Sequence, residues 1–183
     1  MKIFISGGCK SGKSYYAQCL AKKGKRQASP LYYIATMKGV DQEDENRITR
    51  HREERDGWGF TTVEQHRGIE NILNECDHSG SFLLDSLTAL LSNEMFPARD
   101  IINVNAYEQI AEGLTKIMKQ LSHIVIVSDY IYSDAALYDS LTEKYRKSLA
   151  ALDSLTAKNC DVVLEVMYAQ VIVHKDVVGF EIP

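Results

Sequence analysis

The sequence predicts an α/β fold, with a mostly parallel central sheet flanked by helices and a C-terminal hairpin. Two observations carry that prediction. Five short apolar runs, residues 2–6, 31–35, 81–85, 123–128 and 161–166, are rich in β-branched and aromatic side chains, as buried parallel strands are. Segments of helical periodicity separate them, and alternation of strand and helix builds a parallel sheet through right-handed crossovers.

The first run leads directly into Gly7, Gly8, Cys9, Lys10, Ser11, Gly12, Lys13 and Ser14. That order fits a phosphate-binding loop: glycine, four free positions, glycine, lysine, then serine or threonine. The motif also has the context it needs, a strand before it and a helix-compatible segment, residues 15–23, after it. Glycines let the backbone turn through conformations closed to other residues, so that successive N–H groups face phosphate oxygens. Lys13 is then the residue that reaches the β and γ phosphates, and the Ser14 hydroxyl holds a magnesium ion. The positive N-terminal end of the following helix adds to the same anion site.

Asp85 closes the third run, where such folds place a carboxylate that organises magnesium. Capping of the next helix is the compatible structural reading. Residues 41–55 are almost entirely charged, with acids leading and bases trailing, an order that favours a helix through its dipole. Ile48 is the sole aliphatic anchor of that stretch, so the helix is expected to project from the body or pack weakly. On it, Arg47, His51 and Arg55 recur at intervals of four and share a face. Their guanidinium charge favours a neutral imidazole, the form that acts as nucleophile or base, although a merely solvated charged face has the same composition.

Further along, Tyr107, Ile110, Leu114, Ile117, Met118 and Leu121 mark one face of a helix over residues 106–121. Ser140 and Glu143 form a candidate capping box for a helix to about residue 158, with Tyr145, Leu149 and Leu152 inward. Residues 171–174 and 177–182 are expected to make the terminal hairpin.

At 183 residues, the chain suits one nucleotide-binding domain over 1–183. A formal charge of −4 and a pI near 5.7 argue against a nucleic-acid surface, so attraction for phosphate must be local. Cys9, Cys19, Cys76 and Cys160 are scattered, which suits a reduced, cytoplasmic protein, and no run approaches the length of a membrane span.

These pieces together resemble the bifunctional adenosylcobinamide kinase and adenosylcobinamide-phosphate guanylyltransferase family of cobalamin biosynthesis. The resemblance rests on residues 4–14, then Tyr33-Ile34-Ala35-Thr36, then Asp41-x-Glu43 followed by Arg47-Ile48-x-x-His51-x-x-x-Arg55, an aromatic at Trp58 or Phe60, and Thr62-Val63-Glu64. It continues more loosely through Leu83-Leu84-Asp85-Ser86-Leu87-Thr88. The resemblance implies a P-loop NTPase fold, kinase-like or RecA-like, running two reactions. In one, a nucleoside triphosphate, GTP or ATP, phosphorylates the aminopropanol hydroxyl of adenosylcobinamide; in the other, GTP transfers GMP to that phosphate through a guanylyl-histidine at His51, giving adenosylcobinamide-GDP. It further implies Mg2+, a homo-oligomer, and nucleotide contacts at Ile34, Ala35, Thr36, Arg52, Glu53, Glu54, Arg55, Glu64 and Asp85.

The second half departs from the family pattern. A turn with two glycines and a proline is replaced by residues 128–137, which have neither, and in the helix after it Arg146 is kept while Ala150 and Asp153 stand where glycine and asparagine are usual. A glycine-free turn brings its backbone less close to a ligand. Two other readings therefore stay open from the residues: a P-loop small-molecule kinase that never uses His51, and a nucleotide-binding module that has left catalysis.

Overall fold

A computed structural model describes residues 1–26 and 28–180, apart from the side chain of Glu54. In chain order its elements are β1 (Lys2–Gly7), α1 (Lys13–Gly24), β2 (Leu31–Ala35), α2 (Gln42–Glu54), β3 (Thr61–Glu64), a 3-10 turn (Ile69–Asn71) continuing into α3 (Ile72–Glu75), β4 (Ser81–Asp85), α4 (Leu87–Met95), α5 (Ala106–Gln120), β5 (His123–Asp129), α6 (Ser140–Asn159), β6 (Val162–Met167) and β7 (Gln170–Asp176). The strands form one sheet in the order β3-β2-β4-β5-β1-β6-β7. Every pairing is parallel except that of β6 with β7.

Period-two alternation divides the core into two layers. Phe4, Ile34, Phe82, Leu84, Ile124 and Ile126 face α4, α5 and α6, whereas Ile3, Ile5, Tyr33, Leu83, Val125 and Val127 face α1. The stripe read on α5 is the buried one, with Ile110, Leu114, Ile117 and Met118 inside and Leu121 just beyond its end. Leu149 and Leu152 bury α6 against the same layer, and the Tyr145 hydroxyl donates to the Thr88 carbonyl at 2.9 Å. Among the described residues no helix is long and apolar enough to cross a membrane. All four cysteines are free thiols.

Three expectations are corrected. The hairpin is β6 with β7, and residues 177–180 form no strand; residues 181–182 lie outside the described chain. Its turn, Tyr168 and Ala169, takes φ of 51° and 57°, a two-residue left-handed pair made without glycine. The cap of α6 is Asp139, whose carboxylate accepts the N–H groups of Leu141 and Thr142, while Glu143 pairs with Arg146 instead of closing a box. Finally, the helix after Asp85 is α4, but its cap is Ser86, whose hydroxyl accepts the Ala89 N–H at 3.3 Å, and not Asp85.

Gly24, which ends α1, is held to glycine by space. A Cβ there would lie 2.1 Å from Nε2 of His123, the first residue of β5. His123 is 6% exposed, so the ring has little room to retreat. Gly24→Ala should lower stability by about 3 kcal/mol, the upper range for overpacking. A denaturant midpoint equal to that of the wild type would contradict the close packing of α1 on β5.

Candidate active site

Strands β1, β2, β4 and β5 end on the same edge of the sheet, with Gly7 in register with Asp129 and Ala35 with Asp85. Open α/β sheets bind ligands in the crevice at this carboxyl edge, because the loops that follow the strands diverge there. The phosphate loop leaves β1 into that crevice.

Glycines serve the loop in different ways. At Gly7 a Cβ would lie 2.6 Å from the Val166 carbonyl oxygen and 2.8 Å from Ser11 Oγ, so the strand edge and the loop close on it. Gly12 caps α1 in the left-handed region at φ 91°. Gly8 meets nothing within 4 Å, and the other left-handed position of the loop is Lys10, at φ 56°. The hairpin turn braces the loop from outside: Ala169 N–H donates to the Ser11 carbonyl at 3.2 Å and the Tyr16 hydroxyl to the Ala169 carbonyl at 3.0 Å. Lys13 is 7% exposed, and its ammonium donates to the Gly8 carbonyl at 3.0 Å while pairing with Asp129 Oδ1 at 2.5 Å.

Asp85 accepts a 2.8 Å hydrogen bond on Oδ2 from the Tyr33 hydroxyl. Burial, and then the nearby Asp85 charge, push the Tyr33 pKa well above its ordinary value, so the phenol stays a donor. The Arg55 guanidinium lies 3.7 Å from the Tyr33 ring centroid and is 8% exposed, a stacked cation withdrawn from solvent. Arg55 thus ties the end of α2 to the strand that orients Asp85. The Ser14 hydroxyl and the Asp85 carboxylate face one cleft, and hard oxygen donors of this kind fit a magnesium ion that keeps waters and shares phosphate oxygens. Among the described residues no group of three or more His, Cys, Asp and Glu cages a metal by itself.

Helix α2 is built by its ends. Asp41 caps it by accepting the Asp44 N–H at 2.9 Å, Glu43, Asp44 and Glu45 fill the first turn, and His51 and Arg52 lie in the last. None of its described residues is buried; Asp44, Ile48 and His51 are half-buried, Arg47 is exposed, and Arg55 follows the helix into the interior. An Arg52–Glu64 ion pair at 2.7 Å joins α2 to edge strand β3, but both partners are more than half exposed, so it adds little to stability.

The cleft beneath α2 has a volume of about 1530 Å³. Its walls bring together Cys9, Lys10, Ser11, Gly12, Lys13, Ser14, Ala35, Arg47, His51, Arg52, Arg55, Glu64 and Asp85. Other expected contacts face elsewhere. The side chain of Ile34 lies in the core, and Thr36 is buried with its hydroxyl bonded to the Ser86 carbonyl and N–H. Glu53 is exposed away from the cleft, and the Glu54 side chain is outside the described set.

Asp129, Tyr33 and Asn93 also line the cleft, as does Trp58, set edge-on to Tyr15 with centroids 5.9 Å apart. The signal that selects Asp85, an acid closing an apolar strand, applies equally to Asp129. In the sequence the apolar run stops at residue 128, and Ser128-Asp129 has the composition of a turn, so Asp129 does not stand out as the end of a strand.

Residues 3–172 match the family described as cobinamide kinase / cobinamide phosphate guanyltransferase. The bifunctional adenosylcobalamin biosynthesis protein CobU of Escherichia coli (strain K12) is 32% identical over 98 residues, 52% of this chain and 51% of that protein. The bifunctional protein CobP of Pseudomonas aeruginosa is 28% identical over 165 residues, 88% of this chain and 90% of that one. The chain therefore spans about half the length of the CobU relatives it matches. Among solved structures, a KaiC-like protein of Pyrococcus horikoshii superposes with a TM-score of 0.52 at 12% identity, covering 100% of this chain and 83% of that one. Such an identity speaks to the fold, which is that of the P-loop NTPases. With that fold, a phosphate loop in its expected place and a family match from β1 into β7, the chain belongs to the cobinamide kinase / cobinamide phosphate guanyltransferase family.

Proposed function

We propose that this protein phosphorylates the aminopropanol hydroxyl of a cobinamide corrinoid with a nucleoside triphosphate, and then transfers GMP from GTP to that phosphate through a guanylyl-histidine at His51. The observation that carries the reading is the placement of His51 and the phosphate loop on one cleft. The volume of that cleft, about 1530 Å³, exceeds the roughly 300–1,000 Å³ of a site for one drug-sized ligand, which suits a nucleotide beside a bulky acceptor.

Gly7, Gly8, Cys9, Lys10, Ser11 and Gly12 present backbone N–H groups to the phosphates, and Lys13 turns from Asp129 to the β and γ oxygens. Ser14 and Asp85 hold Mg2+, which supplies charge neutralisation on the phosphates when bound. His51 attacks the α-phosphorus: an N–P bond forms, the α–β P–O bond breaks, and pyrophosphate leaves with the electron pair. A phosphate oxygen of the corrinoid then attacks the same phosphorus and the imidazole departs. Arg47 and Arg52, at the mouth of the cleft, offset the negative charge of both halves.

Incubation with α-labelled GTP and Mg2+, followed by denaturation and peptide mapping, tests this reading. The expected product is an acid-labile, alkali-stable GMP adduct on His51, with release of pyrophosphate. Bound GTP with no adduct, and only nucleoside diphosphate released, would instead identify a kinase that does without His51.

A further inference from the structure

We propose that Asp129 is the base of the phosphoryl-transfer half-reaction, accepting the proton of the acceptor alcohol; this rests on the kinase activity proposed above. In that half His51 forms no bond, so the alcohol needs another acceptor for its proton. Asp129 pairs with the Lys13 ammonium at 2.5 Å, and Lys13 is the residue that holds the β and γ phosphates. The carboxylate is therefore one ammonium away from the phosphoryl group in flight. Its side chain is 26% exposed and opens into the cleft, so an acceptor hydroxyl can reach it.

Asp129 is also rigidly set. It ends β5 in register with Gly7, its N–H donates to Thr88 Oγ1 at 2.9 Å, and the Thr88 carbonyl accepts the Tyr145 hydroxyl at 2.9 Å. Helices α4 and α6 thus fix the strand end behind the carboxylate. Asp85, the other strand-closing acid, is differently committed, with one oxygen on the Tyr33 hydroxyl and a metal role in the proposed mechanism.

The step balances without any further reactant. The alcohol oxygen bonds the γ-phosphorus, the β–γ bridging P–O bond breaks, and the nucleoside diphosphate leaves with the electron pair. The alcohol proton passes to Asp129, as the catalytic-loop carboxylate of protein kinases accepts one. The ion pair also orders the events. Without nucleotide, Asp129 neutralises Lys13; a triphosphate takes over the ammonium and turns the carboxylate to the acceptor.

Asp129→Asn separates chemistry from binding. It removes a negative charge beside the triphosphate and releases Lys13, so ATP should bind several-fold more tightly. The kcat for phosphoryl transfer from ATP to adenosylcobinamide should fall about 10²- to 10⁴-fold, the range of general-base catalysis, and Asp129→Glu should recover part of it. Calorimetry of ATP binding and steady-state kinetics, on variants whose circular dichroism matches the wild type, read both quantities. A kcat within about threefold of wild type, against the general-base range, would overturn the assignment. So would weakened ATP binding with a proportionate loss of kcat/KM, the pattern of a merely structural ion pair. Failure of the underlying kinase reading looks different, because the wild-type protein itself would then transfer no phosphoryl group.

Discussion

His51→Ala is expected to abolish the GMP adduct while GTP still binds. The two effects separate because the groups responsible lie on different elements. In the proposed mechanism the phosphates are held by residues 7–14, which run from the end of β1 into the first turn of α1, and that grip includes backbone N–H groups that a change on α2 leaves in place. The bond from imidazole to α-phosphorus exists only after attack begins, so its removal takes away stabilisation of the transition state and little ground-state affinity. Folding should also be spared: His51 is only half-buried and α2 buries none of its described residues, which places the substitution with surface changes worth about 0.5 kcal/mol or less. Covalent labelling and equilibrium binding of GTP, measured on one preparation, check both halves. Persistent labelling of His51→Ala would move the nucleophile elsewhere and leave α2 as a charged roof over the cleft.

The legible and illegible parts of the chain differ by burial. Strands β1, β2, β4, β5 and β6 announce themselves because a parallel sheet covered on both faces demands continuous apolar runs. Edge strand β3, Thr61-Thr62-Val63-Glu64, is largely exposed and has no such demand. Its three β-branched residues favour an extended chain, but a four-residue, mostly exposed run has no apolar pattern to set it apart, and its pairing to β2 comes from the sheet. The sequence misplaces the hairpin for a related reason, since its turn is Tyr168-Ala169 and carries no Asn-Gly or Asp-Gly signal. On α2 the spacing by four points Arg47, His51 and Arg55 the same way. At 3.6 residues per turn such a row drifts round the helix. The side turned to the body is Asp44, Ile48, His51 and Arg55, and Arg47 slips to the exposed rim.

Asp153→Asn should stabilise the protein at pH 7.5, by an amount that disappears in acid. Asp153 is 4% exposed and accepts the Tyr132 hydroxyl at 2.8 Å. Burial pushes its pKa from 3.8 up to about 6, although the Ser128 and Tyr132 hydroxyls pull it back and Asp129 adds to the rise. Above pH 6 the folded protein therefore holds a charge that the unfolded chain solvates better. From a shift of this size the cost is about 3 kcal/mol, and it is relieved as pH falls from 6 toward 3.8. His123 works in the opposite direction. Burial first, and then the neighbouring amino terminus, lower its pKa from 6.5 to about 4, so the stability it contributes is complete above 6.5 and is lost, by about 3 kcal/mol, as pH falls toward 4. Between pH 6 and 4 the two slopes nearly cancel, leaving these groups with little net effect on wild-type stability. An asparagine keeps an acceptor for Tyr132 and carries no charge, so it removes one slope and exposes the other. Urea unfolding should show Asp153→Asn ahead by about 2 kcal/mol at pH 7.5, after a discount for burying the amide, with the lead gone by pH 4. All other titrating groups are common to both proteins and drop out of the difference. A lead that does not change with pH would mean that Asp153 binds its proton equally well in the folded and the unfolded chain, and would sink the assignment of a buried charge.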